Sequence, residues 1–97
     1  MNLSIPTTDN VFEDIGFDKQ EAANLKVRAI LLIEIKEYIR KKGLKQKEAA
    51  ALLGINQPEV SALMHDHIFK FSIDALVNML ARIGRELKVT TRPKKAA

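Results

Sequence analysis

The 97-residue sequence contains no cysteine and no tryptophan, and aromatic residues make up only 5% of it. Without cysteine, the chain can form neither a disulfide framework nor a thiolate metal site. Aliphatic side chains must therefore supply most of a hydrophobic core. The two histidines, His65 and His67, have no third metal ligand of the right type nearby in the sequence, so we expect no metal site and no cofactor.

The sequence also lacks a long apolar run, because residues 29–33 are far too few to span a bilayer. The N-terminal MNLSIPTTDN has no basic start followed by an apolar core, so we expect no signal peptide and a cytoplasmic location. There is no Ser/His/Asp or Cys/His constellation and no glycine-rich phosphate loop. We therefore expect a protein that is not an enzyme and does not bind membranes.

The most informative stretch is residues 46–65, QKEAAALLGINQPEVSALMH. Its apolar spacing predicts two short helices joined by a tight turn at Gly54, with small alanines where the helices cross. Asn56 and Glu59 have the spacing of a capping box, and Pro58 falls in the first turn of the second helix. This pattern is typical of a helix-turn-helix, whose second helix enters the DNA major groove; an ordinary αα-hairpin is the alternative.

The charge distribution favours the same interpretation. Residues 1–35 carry three basic and six acidic side chains, a net charge of −3, whereas residues 36–97 carry thirteen and six, a net charge of +7. A positive surface beside a groove-reading helix is the electrostatic signature of a nucleic-acid-binding protein. A lysine-rich surface that is merely solvated is the alternative.

Preceding that stretch, a long helix is predicted from its cap at Asp18 to Lys42, ended by Gly43. Its apolar stripe is wider than one face, which suggests contact with another chain or a tight intramolecular bundle. Residues 1–17 are predicted to be flexible or extended. Three apolar residues within them, Phe12, Ile15 and Phe17, are expected to dock on the chain's own core or on a partner.

After the helix-turn-helix, Ser72 is predicted to cap a further helix that Gly84 closes, so residues 18–85 form the helical domain. Phe69 and Phe71 are expected to anchor a loop in the core and display Lys70. Residues 86–97 then read as a strand, ELKVTTR, followed by Pro93 and a basic tail. The strand has no partner within the chain, so we expect Leu87, Val89 and Thr91 to pair antiparallel across a homodimer, or with a sheet edge of another protein.

These residues carry a family resemblance. KGLKQKEAAALLGINQPEVSALMHDHIFKFSIDALVNMLARIG resembles the helix-turn-helix of the Cro/phage-repressor superfamily, also called XRE. The run from VFEDIGF to ELKVTTRP is similar to the HigA-type antitoxins and related regulators. The resemblance implies an all-α, lambda-repressor-like bundle of four to five helices with a C-terminal strand. It also implies a dimeric repressor of its own operon, whose partner is a RelE/HigB-like toxin.

The resemblance also suggests roles for two glutamines: Gln46 contacts the DNA backbone and Gln57 reads a base edge. We further expect Lys45, Lys47 and Lys70 to hold phosphates and Gln57, in the role that the resemblance suggests, to recognise adenine. The remaining DNA-binding candidates are Asn56, as cap or reader, Pro58 and Ala62 against thymine methyls, Ser61, and His65 in the following loop.

Three functions remain open from the sequence. The chain is a sequence-specific regulator that binds a palindromic DNA operator and serves as an antitoxin; it is a stand-alone XRE-family repressor without a toxin; or it is a toxin-sequestering protein with weak DNA binding. In the toxin-sequestering hypothesis, the acidic N-terminal segment with Phe12, Ile15 and Phe17 would cover a basic nuclease.

Overall fold

The computed structural model describes residues 10–93, and all regular structure within them is helical. Four helices of eight residues or more and one short N-terminal helix are joined by tight turns. Their bounds are α1 Val11–Asp14, α2 Lys19–Lys42, α3 Gln46–Leu53, α4 Gln57–Met64 and α5 Ile73–Arg82, with a 3₁₀ turn at Ile68–Lys70 between α4 and α5. These helices fit the predicted helix-turn-helix bundle, but the fold predicted with a C-terminal strand is not what the structure shows.

The long helix α2 begins and ends where the sequence predicted. The Asp18 carboxylate accepts a hydrogen bond from the Glu21 N–H at 2.8 Å, and Gly43 adopts a left-handed φ of 62° that terminates the helix. The helix is continuous over its 24 residues. Its buried side chains lie against the other helices: Ala22, Leu25, Leu31, Leu32, Ile35 and Ile39.

The core lies between α2 and the α3–α4–α5 unit and is almost wholly aliphatic. Leu32, Ile35, Leu63, Leu76 and Val60 are its largest fully buried side chains. No polar or charged residue of the described chain is buried. The apolar residues that make the α2 stripe wider than one helix face do not all enter this core. Leu31 is buried, whereas Val27 and Ile33 are exposed.

The predicted C-terminal strand is wrong. Residues 85–93 are irregular, and the part of the chain that the structure describes contains no strand. An alternating sequence becomes a strand only when a neighbouring strand accepts and donates its backbone hydrogen bonds, and residues 10–93 supply none. Leu87 instead packs partly buried against the helical core, while Val89 is 72% exposed.

The N-terminal prediction also needs correction, since α1 forms where residues 11–14 were expected to be irregular. The Asn10 side chain caps this helix by accepting from the Phe12 N–H at 3.0 Å. Its amide nitrogen also donates to the Ala22 carbonyl of α2 at 2.9 Å. From residue 10 onward, the predicted flexible or extended segment is therefore a capped helical turn that is hydrogen-bonded to α2. Residues 1–9 of the predicted segment lie outside the described residues.

Candidate DNA interface

Helices α3 and α4 form the predicted helix-turn-helix. Ala49 and Ala50 are buried at the α3 surface that α4 crosses. Gly54 ends α3 with a φ of 72°. Its N–H and that of Ile55 donate to the Ala50 carbonyl at 2.9 and 3.0 Å. The turn between the helices is therefore only three residues long, 54–56.

A reciprocal pair of hydrogen bonds starts α4. The Asn56 side-chain oxygen accepts from the Glu59 N–H at 2.8 Å, and the Glu59 carboxylate accepts from the Asn56 N–H at 3.1 Å. Pro58 lies in the first turn. The predicted capping box is confirmed, and the Asn56 side-chain oxygen caps α4.

The outer face of α4 presents few side chains. Gln57 and Pro58 are exposed, and Ser61 is half-buried. His65 is exposed, with Nδ1 2.8 Å from the Ser61 carbonyl oxygen. Because a carbonyl only accepts, Nδ1 carries the proton in this contact.

The expected outward orientation of Ala62 is wrong, because this residue is only 7% exposed and belongs to the core cluster. Helical spacing places it at the edge of the inward face, where the segment after α4 covers it. It lines a shallow depression together with Asn56, Pro58, Glu59, Lys70 and Phe71. Little of its methyl group remains for contact with a thymine.

Cationic and amide side chains are exposed at the start of α3 and beside α4. Lys45, Gln46 and Lys47 are exposed at the start of α3, where the Glu48 carboxylate accepts from the Lys45 N–H at 2.9 Å. Lys70 is exposed beside α4, across the depression from Pro58. Of the predicted phosphate-binding residues, Lys45 and Lys47 thus lie at the N-terminal end of α3 and Lys70 lies beside the start of α4. Backbone N–H groups at helix N-termini also favour anions.

Comparison with known proteins agrees with this geometry. A family model described as a helix-turn-helix domain matches residues 11–92. The chain belongs to this helix-turn-helix domain family. No curated protein matches it.

The helix-turn-helix domain is also similar to a solved structure that is provisionally named an XRE family transcriptional regulator. The two share 32% sequence identity and superpose with a TM-score of 0.72, over 79% of this chain and 90% of the other. These findings support the predicted XRE family, whereas a closer similarity to HigA-type antitoxins stays a prediction. The family and fold are those of a DNA-binding motif and not of an enzyme, which confirms that prediction.

Two long-range contacts that hold the helix-turn-helix domain together were not predicted. Arg82 of α5 donates from Nε to the Leu52 carbonyl at 3.1 Å. Lys36 of α2 pairs with Asp66, just after α4, at 2.6 Å. Each joins residues thirty positions apart, and no local pattern in the sequence signals such a pairing.

The residues predicted to bind a protein partner lie on a different part of the helix-turn-helix domain. Phe12 and Phe17 meet edge to face with ring centroids 6.2 Å apart, and Ile15 is exposed. Phe17 also approaches Phe69, with ring centroids 6.0 Å apart. We call Phe12, Ile15, Phe17 and Phe69 the aromatic surface.

Phe69 corrects a further expectation, since it is 66% exposed and only Phe71 is buried. The 3₁₀ turn at Ile68–Lys70 rotates the two side chains to different sides, so one aromatic residue anchors the loop instead of two. The other joins the aromatic surface.

Within residues 10–93, no group of three or more acidic or histidine side chains has the geometry of a metal site. Over the same residues, no helix has both the length and the apolar character needed to cross a membrane.

Proposed function

We propose that this chain is a sequence-specific DNA-binding transcriptional regulator that inserts α4 into the major groove. The observation that carries this proposal is the exposed, capped N-terminus of α4, which presents Gln57 and has Lys70 across a depression beside it. Lys45 and Lys47 are exposed at the start of α3, the other helix of the motif. Membership of the helix-turn-helix family and similarity to a protein named as an XRE family regulator support it.

In this proposal, phosphate contacts set affinity and one side chain contributes most of the direct base recognition. Lys45, Lys47 and Lys70 neutralise phosphates, and Gln46 hydrogen-bonds the backbone. Gln57 pairs with adenine through its amide, which donates and accepts at once. Pro58 rests against a thymine methyl, and Ser61 and His65 reach the backbone or a base from the far end of α4.

We further propose that the protein works as a homodimer on a palindromic site. A single α4 offers few long polar side chains, so one copy discriminates weakly between sequences. Two copies would place their recognition helices about 34 Å apart, one DNA turn. The exposed Val89 and Thr91 are candidates for the dimer contact, whereas Leu87 contributes to its own core.

The test is a fluorescence-anisotropy titration against duplex DNA from upstream of the protein's own gene, with a scrambled duplex as control. Tighter binding to the upstream site is expected. Gln57→Ala should reduce that affinity by about 1–3 kcal/mol, because one bidentate base contact is lost, and leave the scrambled duplex unaffected. Lys26→Ala, a substitution on α2 away from the interface, is the matched control. Equal affinity of the unaltered protein for both duplexes would refute sequence-specific regulation.

A second candidate function is binding of a basic protein, which the aromatic surface favours. Beside its rings, residues 13–21 carry four acidic side chains and one basic side chain: Glu13, Asp14, Asp18, Glu21 and Lys19. Phe69 and Ile15 of this surface are exposed, and Phe12 and Phe17 are half-buried. A partly exposed apolar surface with an acidic border suits a partner whose surface is basic and partly apolar. The family resemblance suggests that this partner is a RelE/HigB-like toxin, which would make the chain an antitoxin that represses its own operon.

This second candidate is tested by calorimetric titration with the product of a neighbouring toxin-like gene. Phe17→Ala should weaken that binding at least tenfold, since a buried aromatic anchor commonly contributes more than about 1.4 kcal/mol. Val27→Ala, at an exposed position on the same chain, should not. If Phe17→Ala binds the partner as tightly as the unaltered protein, the aromatic surface is not the docking site.

A further inference from the structure

Arg82, the last residue of α5, holds the turn of the helix-turn-helix from outside the motif. Its Nε donates to the Leu52 carbonyl of α3 at 3.1 Å. Its side chain also covers Gly54, where an added Cβ would lie 2.8 Å from Nε and 2.9 Å from Cζ. One side chain therefore contacts both the end of α3 and the residue at which the chain turns toward α4.

The Leu52 carbonyl is one of the last four of α3, which have no N–H partner inside the helix. The Ala50 carbonyl, two residues earlier, already accepts from the N–H groups of Gly54 and Ile55. The Arg82 Nε–H at this helix end satisfies a second carbonyl, that of Leu52. Arg82 thus stabilises α3 at the point where the direction of α4 is decided.

The opposite end of α4 is held in a comparable way. Asp66 follows the helix with a left-handed φ of 62° and accepts a hydrogen bond from Lys36 Nζ of α2 at 2.6 Å. The turn before α4 is thus held from α5, through Arg82, and Asp66 after α4 is held from α2, through Lys36. Most other polar side-chain hydrogen bonds in residues 10–93 join residues four positions apart or fewer.

We propose that Arg82 is a positioning residue for DNA recognition: it sets the angle at which α4 enters the groove and makes no contact with DNA itself. This inference rests on the proposed DNA-reading function. It assigns the effect of Arg82 to its Nε–H donor and not to its positive charge. The two properties can be separated by substitution.

Three variants separate them because their side chains superpose on that of arginine. Arg82→Gln puts an amide nitrogen where Nε lies, so the donor is kept and the charge is lost. Arg82→Lys keeps a charge but puts a methylene at that place. Arg82→Met keeps the apolar stem and loses both. Arg85→Met, at a nearby arginine whose guanidinium lies 6.0 Å from the Tyr38 ring centre, is the matched control.

Two measurements are made on each variant: the ratio of affinities for the upstream and scrambled duplexes at two salt concentrations, and the amide exchange rates of Gly54 and Ile55. Arg82→Met and Arg82→Lys should lower the affinity ratio and speed exchange by roughly three- to tenfold, as expected for loss of one hydrogen bond. Arg82→Gln should retain both properties. The salt slope should stay unchanged in all three variants, because no phosphate contact is lost.

The opposite pattern overturns the inference. If Arg82→Lys binds normally while Arg82→Gln weakens binding to both duplexes and reduces the salt slope by about 0.9, Arg82 contacts a phosphate. If Arg82→Met changes neither ratio nor exchange, Arg82 does not position the turn. Should Arg82→Met fail to fold, the Gln and Lys variants decide between the same outcomes. The two proposals can also fail separately. If the unaltered protein binds both duplexes equally but the variants still show the expected order of exchange rates, the DNA-reading function is refuted and the Arg82 contact is supported.

Discussion

At the residue scale, the side chain of Asn56 makes the hydrogen bond that begins α4. Its oxygen satisfies the Glu59 N–H, and the Glu59 carboxylate returns the bond to the Asn56 N–H. Both groups would otherwise be helix-end donors without a partner. The sequence also made Asn56 a candidate for reading a base, but its side-chain oxygen already accepts the Glu59 N–H at the start of α4.

Removing this cap should destabilise the protein. We expect Asn56→Ala to lower the free energy of unfolding by about 0.5–2 kcal/mol, because the Glu59 N–H loses its acceptor. Asn56→Ser keeps a capping oxygen and should retain most of the stability. Urea unfolding followed by circular dichroism measures both. Equal stability of the Ala and Ser variants would mean that the cap contributes nothing.

Which of these residue roles the sequence could predict depends on how local they are. The caps at Asp18, Asn56 and Ser72 were predictable because each uses a partner three residues away. The burial of Ala62 and the contact from Arg82 were not, since each depends on how a distant segment packs. Helical spacing defines the two faces of α4 but not how far a neighbouring loop extends over the boundary.

At the element scale, the turn between α3 and α4 combines a backbone requirement with a packing requirement. Gly54 needs its left-handed φ of 72°, and its missing Cβ leaves room for the Arg82 side chain. Gly43 has a similar φ of 62°, but no atom lies within 4 Å of where its Cβ would be. The two glycines therefore have the same left-handed backbone conformation and differ only in what packs against them.

This pair permits a direct comparison. Gly43→Ala should lower the free energy of unfolding by about 1–2 kcal/mol through backbone strain alone. Gly54→Ala should cost about 1 kcal/mol more, because the new methyl displaces Arg82 from the Leu52 carbonyl. In an Arg82→Ala background the difference should vanish, which thermal unfolding of the four variants would reveal. A difference that persists without Arg82 would contradict the packing explanation.

The C-terminal segment shows the limit of pattern reading for a whole element. Residues 86–92 alternate as a strand does, yet the described chain leaves them irregular, with Leu87 against the core. A helix makes its hydrogen bonds within itself, so caps and apolar spacing suffice to predict α2 to α5. A strand makes them with a neighbour, which a single sequence does not supply.

At the scale of the whole molecule, α2 is the structure against which the helix-turn-helix and α5 pack. Its Leu32 and Ile35 are among the most deeply buried residues of the core. The sequence predicted this apolar stripe but could not show which of the additional apolar residues beside it are buried. Ile33, two positions from Ile35 on the same helix, is 49% exposed.

The two isoleucines should respond very differently to truncation. Ile35→Ala should lower the free energy of unfolding by about 2–5 kcal/mol, because it leaves a cavity at the centre of the core. Ile33→Ala should change it by less than about 1 kcal/mol, since a partly exposed side chain is removed and alanine favours the helix. Guanidinium unfolding measures both. A large loss from Ile33→Ala would show that this face of α2 is covered in solution.

The shortness of α3 and α4 has a consequence for how this protein can be divided. Each has eight residues, fewer than the roughly 12–15 that an isolated helix needs in water. An isolated peptide of residues 46–65 would therefore not keep either helix. If that segment were grafted onto another protein, it would have the sequence of the motif but would not adopt its structure. Since Lys36 and Arg82 lie outside the motif and secure it from both sides, the smallest piece that can be transplanted runs from α2 through α5.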